Sequence, residues 1–140
     1  MEFRKLKASD YYKGYLSLLE QLTVVDKNKI TYDMFEKIIN KMNSSIYVIE
    51  SKGQIVTSGT LVIEDKIIHG ISKVGHIEDI IVDKNYRGHG LGKKIVDKLV
   101  EISKENGCYK TILNCSNDMV AFYEKNGFKQ KNVEMSYYFN

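Results

Sequence analysis

The chain contains no proline. Every turn must therefore come from Gly, Asn, Asp or Ser, which tolerate positive φ or bond their own backbone. Cysteine is nearly as scarce, with only Cys108 and Cys115. Were 108–115 one extended strand, the two would stand roughly 23 Å apart, whereas a disulfide needs Cα atoms within about 7 Å. They are read as free thiols, which suits a reducing, cytoplasmic setting. The histidines His69, His76 and His89 do not fall at ligand spacing with them, so no metal is expected. No apolar run approaches the roughly 18 residues that cross a bilayer, so no membrane partner is expected. Met1-Glu2-Phe3-Arg4-Lys5 lacks the apolar stretch of a secretion signal. An excess of one charge is missing too: 21 Lys and Arg stand against 18 Asp and Glu, a net +3. With no dense basic patch, nucleic acid is not an expected partner.

What is present is globular composition, 43% apolar and 28% charged over 140 residues. That length fits one domain, 1–140, able to bury roughly two thirds of its unfolded surface. Phe3 to Leu6 reads as a first strand. Ser9 caps a helix to about Gln21, with Tyr12, Tyr15, Leu16 and Leu19 on one face. Thr31 caps a second helix, striped by Met34, Phe35, Ile38, Ile39 and Met42. Ile46–Glu50 and Ile55–Ile63 form a hairpin around Ser51-Lys52-Gly53. Val74–Val82 is another strand. Leu91, Ile95, Val96, Leu99 and Ile102 mark a long helix over about 90–105, stopped by Asn106-Gly107. A strand around Thr111–Leu113, a short helix over 117–125 and a last strand over 133–139 complete the chain. Early hairpins followed by a strand-helix-strand-helix unit predict an α+β domain, one mixed central sheet flanked by about four helices.

The informative segment joins the Val74–Val82 strand to the long helix. In Arg87-Gly88-His89-Gly90-Leu91-Gly92, three glycines alternate and lysines 93 and 94 follow. Glycines let backbone N–H groups turn toward an anion and let it come close. A helix start adds free donors and partial positive charge. A pyrophosphate is the expected guest. The spacing is neither the dinucleotide G-x-G-x-x-G nor a Walker loop.

This loop resembles the acetyl-CoA loop of the GNAT N-acetyltransferases, R/Q-x-x-G-x-G/A. Ala121-Phe122-Tyr123 followed by Asn126-Gly127-Phe128 resembles their second signature. Further segments, Lys66-Ile67-Ile68-His69, Gly75-His76-Ile77-Glu78-Asp79-Ile80, Gly107-Cys108-Tyr109-Lys110 and Phe122-Tyr123-Glu124-Lys125, look like the glucosamine 6-phosphate N-acetyltransferase family. With Leu22-Thr23 and Val133-Glu134-Met135, the likeness covers nearly the whole chain.

The resemblance implies transfer of acetyl from acetyl-CoA to the 2-amino group of glucosamine 6-phosphate, in a ternary complex, for amino-sugar nucleotide synthesis. It implies Tyr123 as the acid that protonates the departing thiolate, and Glu78 with Asp79 as the catalytic carboxylates near the amine. A bulge there would break the strand's alternation, and the following Ile80, Ile81 and Val82 suggest that the carboxylates are buried. The cofactor would lie on the backbone of Ile80, Ile81 and Val82, on Arg87, Gly88, His89, Gly90, Leu91, Gly92 and Lys93, and on Asn114. The sugar phosphate would meet Thr23, Lys66, Ile67, Ile68, His69, Glu78, Asp79, Ile80, Tyr109 and Lys110. In the family part of this pocket belongs to the second subunit of a homodimer, to which strand 133–139 could cross. Two positions depart from the pattern: Asn114 stands where Asp is usual, and Met119 where Asn is frequent. An acetyltransferase for another small amine, such as a polyamine or antibiotic, or for a peptide amine, is the alternative. A non-catalytic acyl-CoA-binding module is a third reading, disfavoured by Tyr123 and Glu78.

Overall fold

The computed structural model describes residues 1–140. Strand β1 (Glu2–Lys5) leads through a 3-10 turn (Ala8–Lys13) into the short helix α1 (Tyr15–Leu19). A second 3-10 turn, Lys27–Lys29, precedes helix α2 (Tyr32–Lys41). Strands β2 (Ser45–Ser51) and β3 (Gln54–Lys66) follow, then a single helical turn α3 (Ile68–Ile71) and strand β4 (Ser72–Val82). The long helix α4 (Leu91–Glu105), strand β5 (Cys108–Ile112) and helix α5 (Val120–Lys125) close the ordered elements. The strands make one sheet in the order β1-β2-β3-β4-β5. All pairs are antiparallel except β4–β5, which is parallel. The mixed α+β sheet is as expected, but it has five strands, not six.

Local chemistry accounts for the elements. Thr31 Oγ1 accepts the Met34 N–H at 3.2 Å and starts α2. Lys52 and Gly53 carry φ of 50° and 76°, the left-handed pair that a two-residue hairpin turn demands. The two sheet faces bury separate clusters. One holds Ile49, Val56, Leu61 and Ile77 against Leu91, Ile95, Val96, Leu99 and Tyr123. The other holds Tyr15, Leu16, Leu18 and Phe35 against Val48, Ile55 and Ile81.

Three expectations fail. The helix over 9–21 is broken at Gly14, whose φ is 76°. Asp10, fully buried, turns back to accept the Lys7 N–H at 2.8 Å and pairs with Arg4, which sets the first turn apart from α1. Tyr12 consequently leaves the core and stacks on Tyr32 at 5.4 Å. The strand expected at 133–139 forms no ladder, because the outer edge of β5 is reached by no other segment of the same chain. Its apolar residues Val133, Met135, Tyr137, Tyr138 and Phe139 are instead exposed.

Candidate active site

The site is built around an irregularity in β4. Thr60 pairs with Glu78, yet Ser58 pairs with Ile81, so β4 carries one residue more than β3 there. Asp79 takes up the excess at φ 52°. This is the bulge foreseen from the sequence, and it resets the alternation. Ile77 belongs to the α4-side core and Ile80 packs against that same core, while Ile81 turns to the opposite one. Glu78 and Asp79, caught between, are both exposed rather than buried. Ion pairs elsewhere in the chain do not engage them.

Beyond the bulge the sheet opens. β4 and β5 pair only from Lys73↔Cys108 to His76↔Ile112. From Ile77 to Val82 the outer edge of β4 has no strand partner, so its backbone donors and acceptors are available. The side chains of Ile80, Ile81 and Val82 are committed to packing. These three residues can offer a ligand their backbone.

The loop after β4 ends at the start of α4. Asp83 Oδ1 accepts the Asn85 N–H at 2.8 Å, and Gln21 Oε1 accepts the Lys84 N–H at 2.9 Å, which anchors the loop to the end of α1. Gly88 and Gly90 sit at φ 83° and 78°, and a Cβ on either would point into open space. Gly90 precedes α4 without any side-chain cap, and the first helical bond is Lys94 N–H to the Gly90 carbonyl at 3.0 Å. The N–H groups ahead of Lys94 are thus free, a cradle that fits a pyrophosphate. Gly92 does not belong to this loop. It lies inside α4, where Phe122 would stand 3.4 Å from a Cβ, so it serves close packing of α4 on α5. Arg87 Nε donates to the Val82 carbonyl at 3.1 Å, and Lys93 pairs with Asp97 at 2.6 Å. His89 is exposed.

Tyr123 stands on α5, 8% exposed, edge-on to Phe122 at 5.0 Å and to Phe128 at 5.8 Å. The Asn126-Gly127-Phe128 signature has a mechanical meaning here. Gly127 adopts φ 92°, and the Phe128 N–H bonds the Tyr123 carbonyl at 3.0 Å, which folds Phe128 back onto the tyrosine. Burial raises the Tyr123 phenol pKa, and the nearby Cys115 adds to the rise. Tyr123, Asn114, Cys115, Asn126 and Lys110 line a cleft of about 1170 Å³ between β5, α5 and the extended tail.

The residues expected on a sugar phosphate divide into two groups. Glu78 and Asp79 lie at the bulge. Lys66 sits at the end of β3, bonded to Glu64 at 3.3 Å, and His76 shares that carboxylate at 2.9 Å. His69 stacks on Tyr109 at 4.5 Å, with Lys110 Nζ 5.4 Å from the same ring. Ile67 and Ile68 are 87% and 60% exposed beside them. This cationic group surrounds the first residues of β4. Six residues of strand, roughly 20 Å, separate Ser72 from Glu78, which is longer than a hexose phosphate. Thr23, past the end of α1, is exposed. The sequence did not single out Tyr15, whose buried hydroxyl meets Ser58 Oγ at 3.2 Å. Burial raises its pKa against the Ser58 bond, with Asp79 contributing, so it lies under the bulge. Ten tyrosines and a broken helix pattern hid it.

The comparisons agree with this geometry. Residues 8–128 match the model of the acetyltransferase (GNAT) family. A glucosamine 6-phosphate N-acetyltransferase of Arabidopsis thaliana is 42% identical, over 99% of this chain and 97% of its own length. One from Candida albicans is 45% identical over 95% and 92%. The crystal structure of the Arabidopsis thaliana enzyme superposes with a TM-score of 0.95, at 41% identity over 99% of this chain and 98% of that one. The chain therefore belongs to the acetyltransferase (GNAT) family, in the branch whose members bear the name glucosamine 6-phosphate N-acetyltransferase.

Proposed function

We propose that the protein transfers acetyl from acetyl-CoA to the 2-amino group of glucosamine 6-phosphate, giving N-acetylglucosamine 6-phosphate and coenzyme A. The observation that carries this reading is full-length identity of 42% and 45% with two relatives so named. The free N–H cradle at Gly88–Gly90 and the open edge of β4 support acetyl-CoA as the donor. The pyrophosphate lies over Arg87 to Lys93, the pantetheine runs along Ile80 to Val82, and Asn114 faces it from the β5 side. Met119, 39% exposed, brings no polar contact.

Both substrates are bound together and the amine attacks the thioester carbonyl directly. Glu78 and Asp79 sit at the acceptor and take up the amine proton, directly or through water. The β4 backbone donors hold the carbonyl oxygen as it gains charge. Tyr123, kept protonated by burial, gives its proton to the departing sulfur. Lys66, His69 and Lys110, with Tyr109, Ile67, Ile68 and Thr23, hold the sugar phosphate.

The separation of that cationic group from Glu78 supports a homodimer in which each chain brings its cations to its partner's bulge. The exposed apolar tail 133–139 supports the same arrangement, as a strand laid against the second copy. Residues 1–140 act as one domain, in the cytoplasm, upstream of amino-sugar nucleotide synthesis. The test is acetyl-CoA consumption with purified protein and glucosamine 6-phosphate, glucosamine or spermidine. Turnover on the sugar phosphate, weaker on glucosamine, is expected. Turnover on spermidine alone overturns the assignment.

A further inference from the structure

The cleft beside Tyr123 holds a nucleophile that the proposed reaction does not use. Cys115 lies just past β5, exposed, with a free thiol. It lines the same cleft as Tyr123 and lies close enough for its charge to act on the phenol. Tyr123 is an independent sign of a ligand there. The buried Tyr15 hydroxyl is bonded to Ser58, whereas Tyr123, with a side chain more than nine-tenths buried, has a hydroxyl that bonds no protein group. A buried phenol facing a cleft without a protein partner calls for one from outside. Cys108 supplies an internal contrast: it lines the same cleft from within β5 and is half-buried.

We infer that Cys115 is a site of reversible mixed-disulfide formation with coenzyme A. The inference rests on the proposed function, since the Gly88–Gly90 cradle must hold the pyrophosphate while the pantetheine sulfur reaches Tyr123. The step is exchange with coenzyme A disulfide, the oxidised dimer of the cofactor. The Cys115 Sγ thiolate attacks one sulfur of that disulfide. A bond from Sγ to that sulfur forms and the original S–S bond breaks. The second coenzyme A leaves as a thiolate and takes a proton from water. The disulfide is the oxidant, Cys115 is oxidised, and one coenzyme A is reduced. The attached cofactor fills the donor site and stops turnover until a small thiol releases it.

The test uses the full chain, reduced and then freed of reductant, incubated with coenzyme A disulfide or with glutathione disulfide at equal concentration. Intact and peptide masses follow the adduct, and reduced coenzyme A is titrated calorimetrically in parallel. One coenzyme A per chain is expected, on Cys115, at least about tenfold faster than glutathione, because binding raises the effective concentration of the disulfide. Acetyl transfer should fall in step with the adduct and return with dithiothreitol. Cys115→Ser should lose the adduct and still bind coenzyme A. If reduced coenzyme A does not bind, the cofactor assignment itself fails. If it binds but the two disulfides label equally, or Cys108 labels as fast as Cys115, the inference alone is overturned.

Discussion

At the scale of single residues, the chemistry concentrates on Tyr123. A buried phenol with a raised pKa stays protonated through neutral pH, so the acid is loaded before each turnover. Its activity should fall only on the alkaline side, beyond the ordinary phenol value of about 10. Tyr123→Phe keeps the ring packing with Phe122 and Phe128 and removes only the proton. We expect kcat to drop by about 10², with KM for acetyl-CoA changed less than a few-fold, since the hydroxyl acts on the leaving sulfur. The alkaline limb that belongs to Tyr123 should vanish from the kcat profile of the variant. A Tyr123→Phe enzyme with unchanged kcat would remove the residue from the mechanism.

At the scale of elements, α4 lies so close to β4 that two small residues become mutually dependent. A Cβ on Gly75 would stand 2.1 Å from Ser103 Oγ and 3.1 Å from Ser103 Cβ. The Ser103 hydroxyl is buried and has no hydrogen-bond partner. Gly75→Ala should therefore cost about 1–3 kcal/mol as overpacking. Ser103→Ala should be near neutral or stabilising, because it removes an unpaired buried polar group. The double variant should recover part of the Gly75→Ala loss, a coupling of about 0.5 kcal/mol or more in a denaturation cycle. Strict additivity would contradict the packing account.

The buried ion pair at the other face behaves differently. Burial pushes the Asp10 carboxyl up, but the two bonds from Arg4 at 2.8 Å and the Lys7 N–H outweigh it and hold the pKa below the ordinary value. A depressed carboxyl stabilises the fold above its unfolded pKa and loses that contribution as pH falls through the folded value. Arg4→Met leaves the fully buried Asp10 charge unpaired, which should cost about 3–5 kcal/mol at neutral pH. The variant should then gain stability on acidification from about pH 7 toward pH 5, where the parent does not. Arg4→Met with Asp10→Leu should restore much of the loss, read from urea midpoints across that range.

The elements also show what the sequence could carry. The long helix, the hairpin and the Asn126-Gly127-Phe128 stop were legible because period, turn chemistry and capping are local. The glycine loop was legible for the same reason, save that Gly92 looked like a loop residue until α4 was seen to begin at Leu91. The break at Gly14 was not legible, since it depends on Arg4 reaching Asp10 across six residues from another strand. The exposure of Glu78 and Asp79 was hidden by the apolar run after them, because an inserted residue in β4 shows only against the β3 register. The ladder expected over 133–139 was apolar and long enough, yet a strand also needs a partner edge.

At the scale of the whole molecule, one chain does not complete the site. Its phosphate-binding group and its catalytic bulge lie roughly 20 Å apart along β4, and five large apolar residues of the tail face outward. If each site takes Glu78 from one chain and His69 with Lys110 from the other, two dead variants must rescue each other. Glu78→Gln and the double variant His69→Ala/Lys110→Ala are each expected to lose nearly all turnover. Co-expressed with separate tags at equal level, half of the dimers pair one of each. In such a dimer one site carries all three defects and the other carries none. Turnover should therefore return to about a quarter of the parent's in the total pool, and to about half in purified mixed dimers. A site built within one chain leaves every site damaged, and the mixed dimers would stay as inactive as either variant. That outcome would remove the shared-site arrangement while leaving the acetyltransferase assignment to the substrate assay.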